Sequence, residues 1–77
     1  MLVKKEDQIL RDGVSIAKAK FVIHRDKGDW EHKTLKVLLT ELKREVLELE
    51  EAQTKEEIIL ECGDLINYSC MIIDIVK

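Results

Sequence analysis

The 77-residue sequence contains no proline, three glycines, three aromatic residues and two cysteines. The scarcity of proline and glycine excludes collagen-like and linker-like chains, and the scarcity of aromatic residues argues against a barrel. Two cysteines without a regular spacing indicate free thiols in a reducing compartment. No apolar run approaches the roughly 18 residues of a membrane span, and the N-terminus lacks the apolar core of a signal peptide. We therefore expect a cytoplasmic protein without a membrane partner.

The composition is that of a folded chain, with 45% apolar and 38% charged residues. Its length predicts one domain over residues 1–77, although a chain this short buries only about 60% of its unfolded surface alone. Residues 1–40 carry nine basic and six acidic side chains, whereas residues 41–77 carry four and ten. Because the whole chain is acidic, we expect no nucleic-acid partner.

The hydrophobic pattern predicts an all-α protein with three helices. Apolar residues at helical spacing place the first helix over residues 3–24. The second is expected from about Asp29, as its cap, to about residue 51. Thr54 and Glu57 fit a capping box that starts the third helix, which runs almost to the C-terminus.

The apolar faces predict an assembly rather than a monomer. The expected core stripe of the second helix is Leu35, Leu38, Leu39, Leu42, Val46 and Leu49. The third helix is apolar on nearly all sides, with Cys62 and Cys70 as small residues of a buried face, and one antiparallel three-helix subunit cannot cover it. We therefore expect a homodimer or homotetramer that forms a helical bundle.

Two pairs of acidic residues share helix faces at a spacing of three. Glu45 and Glu48 lie on the second helix, and Glu61 and Asp64 lie on the third. If these helices pack antiparallel, the four carboxylates converge and repel one another unless a cation joins them. Mg²⁺ suits such oxygen ligands, with Mn²⁺ as an alternative. The competing interpretation is two solvated acidic faces, with Glu61 paired to a lysine or arginine.

The two segments Glu45-Val46-Leu47-Glu48-Leu49 and Glu61-Cys62-Gly63-Asp64-Leu65 carry a family resemblance. Their order and spacing resemble the ExxE…ExxD signature of the MazG-like all-α nucleoside triphosphate pyrophosphohydrolases, and the likeness extends over about residues 30–76. It implies a metal-binding helix pair over about residues 31–76 with Glu45, Glu48, Glu61 and Asp64 as Mg²⁺ ligands. It also implies hydrolysis of a nucleoside or deoxynucleoside triphosphate to the monophosphate and pyrophosphate.

Further residues acquire expected roles from their positions. Many family members have an acid immediately before the signature, where this sequence has Arg44, so Glu41 is the candidate for orienting the attacking water. Tyr68 lies one turn after Asp64 and is expected either to contact substrate or to fill the bundle core. Arg44 and the short chain also favour the alternative function, a non-catalytic oligomerisation or regulatory module that keeps the fold.

Three other positions have two interpretations each. Trp30 is expected to stack on a nucleotide base or, more simply, to act as a hydrophobic staple. Asn67 is expected to support a metal ligand or to form an interhelical hydrogen bond. Lys33 is expected to face away from the acids. Three basic residues are expected on a solvated face, with a triphosphate contact as the alternative: Lys18, Lys20 and Arg25.

Overall fold

Three helices make up the computed structural model, which describes residues 2–25 and 30–77. They are α1 (Leu2–Arg25), α2 (Leu35–Glu51) and α3 (Lys55–Val76). The described residues form no strand, so the expected all-α, three-helix fold is confirmed. Within these ranges, no helix combines the length and the apolar character that crossing a membrane requires.

The start of α2 differs from the prediction by about six residues. The expected cap, Asp29, lies outside the described residues, and the helix begins only at Leu35. Thr34 is its N-cap: the backbone there is extended and the hydroxyl accepts a 3.2 Å hydrogen bond from the Val37 N–H. Just before it, the Lys33 N–H donates to the Trp30 carbonyl at 2.9 Å and closes a turn. A threonine hydroxyl that satisfies a free first-turn N–H explains why the helix begins here.

The capping box at the start of α3 is confirmed. The Thr54 hydroxyl accepts from the Glu57 N–H at 3.1 Å, and the Glu57 carboxylate accepts from the Gln53 N–H at 3.3 Å. In the usual capping box the glutamate accepts from the N–H of the N-cap residue itself, whereas Glu57 accepts from the residue before it. Because only three residues separate α2 from α3, the two helices pack side by side in opposite directions.

Helix α3 is the centre of the subunit. Both α1 and α2 pack against it, and the described parts of α1 and α2 make no close backbone approach to each other. Gly63 allows α1 to come close, because a Cβ at this position would lie 2.9 Å from Cγ2 of Ile16. The Asn67 side chain adds a 2.8 Å hydrogen bond from its amide nitrogen to the Ala17 carbonyl. The predicted interhelical bond of Asn67 is thus observed.

The most buried part of the subunit is unusually polar. Among the residues whose side chains the structure describes, Leu38 is fully buried and Ala17 nearly so, and the other buried side chains are those of Glu45, Asp64 and Asn67. Buried acids cost free energy unless a partner compensates them. Two of the predicted acidic residues, Glu45 and Asp64, are therefore buried at a cost in free energy that a partner must offset.

The predicted core stripe of α2 is only partly buried. Leu38 is buried, whereas Leu35, Leu39 and Val46 are exposed. The reason is geometric: α3 is the one helix that packs on α2 in the described structure, and it covers the side that carries Leu38 and Glu45. One neighbouring helix cannot cover the whole apolar stripe.

The cysteines show the same exposure on α3. Both Cys62 and Cys70 are free thiols, as expected, but both are exposed, so their predicted burial is wrong for a single subunit. Cys62 lines an open groove that Gly13 and Ile16 of α1 also line, and its thiol stays exposed there.

Candidate metal centre

Three of the four predicted ligands meet where α2 packs on α3. One carboxylate oxygen from each of Glu45, Glu61 and Asp64 lies within 4.8 Å of the others. Glu45 is 6% exposed and Asp64 is 4% exposed. The i, i+3 spacing puts Glu61 and Asp64 on one side of α3, and the antiparallel packing brings Glu45 opposite them. We call these three residues, with Glu48, the acidic cluster.

Two carboxylate oxygens of the acidic cluster have no hydrogen-bond donor. Oε2 of Glu45 and Oε2 of Glu61 are both buried and unpartnered. A buried oxygen of this kind loses its hydration without replacement, which costs about 1–3 kcal/mol and more when it is charged. A cation placed between the carboxylates would satisfy both oxygens.

The electrostatics of the acidic cluster favour an added positive charge. Burial first, then the interaction with Glu48 and the charges of Asp64 and Glu61, together raise the pKa of Glu45 to about 7. Burial, followed by the charges of Glu48 and Asp64, also raises the pKa of Glu61. A cation held between the carboxylates would favour the ionised forms of Glu45 and Glu61 and so oppose both of these shifts.

Glu48 lies at the rim of the acidic cluster. Its side chain is exposed, yet it acts on the pKa values of both Glu45 and Glu61. It is therefore close to the three converging carboxylates but open to solvent. This position suits a ligand on the side from which a substrate would approach.

Glu41 forms a separate group with Lys33 and Tyr68. The Lys33 ammonium donates to both carboxylate oxygens of Glu41 at 3.0 Å. Burial, then the charge of Glu41 and a hydrogen bond with it, raise the pKa of Tyr68 to about 12. Tyr68 is half-buried and interacts with Glu41, so both of its predicted roles stay open.

The prediction that Lys33 faces away from the acids is wrong. Lys33 precedes the N-cap of α2 rather than lying within the helix. Its side chain can therefore reach along the first turns of α2 and contact Glu41, eight residues later. The error follows directly from the misplaced start of the helix. It leaves Glu41 with a fixed partner, while its predicted role with the attacking water stays a prediction.

A second lysine approaches the acidic cluster from α1. The Lys20 ammonium lies 3.4 Å from Oδ2 of Asp64. Sequence reasoning favoured a solvated face for Lys20, which is wrong, since its side chain is only 17% exposed. Helical spacing could have predicted this burial. Lys20 lies four residues after Ile16 and three after Ala17, and residues at these spacings share the side of α1 that packs on α3.

Trp30 bridges two elements outside the acidic cluster. Its indole N–H donates to Asp74 of α3 at 3.1 Å, and its ring meets Phe21 of α1 edge to face with centroids 5.1 Å apart. These contacts tie the turn before α2 to both other helices. The predicted stacking on a nucleotide base is neither required nor tested by them.

The donor set fits a hard divalent cation. The acidic cluster offers carboxylate oxygens alone, which Mg²⁺ and Mn²⁺ accept, and includes no histidine or cysteine of the kind that zinc sites use. The buried, unpartnered oxygens of Glu45 and Glu61 supply the specific fit. No protein-family model, curated protein or solved structure matches this chain significantly.

Proposed function

We propose that the acidic cluster binds Mg²⁺ and that the protein is a MazG-like nucleoside triphosphate pyrophosphohydrolase. The observation that carries the metal site is the buried, unpartnered carboxylate oxygen of Glu45, which faces the carboxylates of Glu61 and Asp64. The resemblance of the signature residues supports the step from a metal site to nucleotide hydrolysis. The exposed cysteines, Cys62 and Cys70, fit the reducing cytoplasm that we propose as its location.

The proposed reaction breaks one phosphoanhydride bond. The oxygen of a water molecule bonds to the α-phosphorus, and the bond from that phosphorus to the bridging oxygen breaks, so that pyrophosphate leaves. Bound Mg²⁺ would neutralise triphosphate charge and lower the pKa of the attacking water. Glu45, Glu61 and Asp64 would hold the ion from the buried side, and Glu48 would complete the binding at the open rim. Glu41 is our candidate for orienting the water.

Pyrophosphate release from a panel of ribo- and deoxynucleoside triphosphates with Mg²⁺ tests this proposal. We expect Glu48→Ala to abolish the release, because it removes a proposed ligand whose own side chain is exposed. Glu50→Ala is the matched control, since Glu50 is an exposed acid on the opposite side of α2. In parallel, Mg²⁺ at 100 times its Kd should stabilise the wild type by about 2.7 kcal/mol and leave the Glu48→Ala protein almost unaffected.

Absence of turnover by the folded wild-type protein across the whole panel would contradict the enzymatic proposal. It would favour the second candidate, a non-catalytic oligomerisation or regulatory module. Arg44, at the position where many family members carry an acid, favours the second candidate. A set of exposed apolar side chains, which we call the aliphatic face, suits association under both candidates: Leu35, Leu39, Val46, Ile58, Ile73 and Val76. We propose that this face joins two subunits in either case.

A further inference from the structure

We propose that Lys20 is the built-in counter-cation of the acidic cluster and that Mg²⁺ displaces its ammonium group from Asp64. This inference rests on the proposed metal site. The Lys20 Nζ lies 3.4 Å from Oδ2 of Asp64, and that aspartate is one of the three carboxylates that converge within 4.8 Å. Lys20 belongs to α1, outside the segment that carries the resemblance.

The packing of α1 on α3 at Gly63 makes room for the Lys20 side chain. A Cβ at Gly63 would lie 3.2 Å from Cγ of Lys20 and 2.9 Å from Cγ2 of Ile16. Glycine at this position therefore lets the lysine stem cross the surface of α3 and reach Asp64 on the next residue. Cγ of Lys20 lies against Gly63 of α3, and the side chain as a whole is 17% exposed.

The charges around the acidic cluster give Lys20 a specific task. Its charge lowers the pKa of Glu61, against the effects of burial and of Glu48 and Asp64. The other lysine of the site, Lys33, is held by both oxygens of Glu41. Lys20 is therefore a basic residue of the described chain that partly neutralises the converging carboxylates when no metal is bound.

Mg²⁺ and the Lys20 ammonium compete for the carboxylate of Asp64. Mg²⁺ binds oxygen ligands at about 2.0–2.1 Å, so an ion on Asp64 takes the space that the ammonium faces. Two cations at this separation repel, and lysine can yield because its charge sits on a flexible four-carbon stem. The released ammonium would then lie beside the metal, where the phosphates of a nucleotide would arrive.

Lys20→Met tests the inference, because methionine keeps most of the stem and removes the charge. Lys18→Met is the matched control, since Lys18 is an exposed lysine of the same helix. We expect Lys20→Met to lower the Tm in EDTA and to tighten Mg²⁺ binding on the order of tenfold, measured by calorimetric titration without nucleotide. The control should change neither value.

Lys20→Arg should change the Mg²⁺ affinity in the opposite direction. It also serves as a second variant if Lys20→Met does not fold. A guanidinium can pair with Asp64 through two hydrogen bonds, so we expect it to weaken Mg²⁺ binding. Unchanged or weaker Mg²⁺ binding by Lys20→Met, or tighter binding by Lys20→Arg, would overturn the inference while the metal site stood. Absence of Mg²⁺ binding by the wild type would overturn both proposals.

Discussion

Glu45 has a carboxyl group for which the subunit provides burial and negative neighbours but too few hydrogen-bond donors. Its pKa is raised from 4.5 to about 7, first by burial and then by Glu48. The folded state therefore holds a proton that the unfolded state releases at a lower pH. By linkage, the stability that Glu45 contributes is complete below pH 4.5 and is lost as the pH rises through about 7.

We expect Glu45→Gln to remove this pH dependence. In EDTA, the Tm of the wild type should fall between about pH 4.5 and 7 more steeply than that of the variant, because glutamine cannot ionise. At neutral pH the variant should be the more stable protein without metal, and Mg²⁺ should not raise its Tm.

Thermal unfolding monitored by circular dichroism across this pH range checks the prediction. Glu50→Gln serves as the control, since Glu50 is exposed on the same helix. Equal slopes for the wild type and Glu45→Gln would show that folding does not raise the pKa of Glu45.

The sequence predicted the acids of the site better than their basic partners. Glu45, Glu61 and Asp64 converge because helical spacing and a short connection fix their relative positions, and both can be read from the chain. Lys20 and Lys33 could not be placed in the same way. Their contacts depend on the packing of α1 on α3 and on the true start of α2, and neither is set by local periodicity.

At the scale of the helices, the same reasoning predicted α1 and α3 closely and misjudged the beginning of α2. The predicted first helix differs from Leu2–Arg25 by one residue at each end. The predicted second helix includes the residues just before Thr34, because no glycine or proline separates them from the helix. In the structure these residues form a turn, and Thr34 is the N-cap of α2. The choice between two capping residues depends on where the chain must turn toward α3.

The two glycines within helices offer a paired test of the packing of α1 on α3. A Cβ at Gly13 would meet Cδ1 of Ile66 at 3.4 Å, an ordinary contact, whereas at Gly63 it would lie 2.9 Å from Ile16. We expect Gly13→Ala to stabilise the protein by about 0.5–1 kcal/mol through helix propensity. Gly63→Ala should destabilise it by about 1–3 kcal/mol through overpacking.

Urea unfolding of the two variants beside the wild type measures both effects under one set of conditions. A stability gain from Gly63→Ala would mean that α1 does not approach α3 as closely as the structure shows. A loss from Gly13→Ala would indicate instead that the space beside Ile66 is smaller in solution.

At the scale of the whole molecule, the subunit has more surface than its mass requires. Its accessible area is 6248 Å², whereas a folded monomer of 9.0 kDa exposes about 4,850 Å². Its radius of gyration is 13.4 Å, against about 11.5 Å for a compact domain of this length. The surplus of about 1,400 Å² exceeds the roughly 800 Å² that each partner buries in a standard interface.

The aliphatic face contributes part of the exposed apolar area. On both α2 and α3, a rotation of about 100° around the helix axis separates the residues of this face from the side that contacts the other helix. The rotation has the same direction on both helices when each is viewed from its N-terminus. For antiparallel helices, this places both stripes on one side of the pair. A second copy of the chain that packs there would bury the predicted core residues of α2 that a single subunit leaves exposed.

We expect the protein to be a dimer in solution and Leu39→Lys to convert it to a monomer. Leu39 is 40% exposed within the aliphatic face, so a charge there would be buried without a partner in the dimer. Leu47→Lys is the control, because Leu47 is 56% exposed but lies on a different side of α2. Sedimentation equilibrium at micromolar concentrations should give the mass of two chains for the wild type and Leu47→Lys, and of one chain for Leu39→Lys. If Leu39→Lys kept the wild-type mass while Leu47→Lys lost it, the subunits would meet through the other side of α2, and the aliphatic face would need a different explanation.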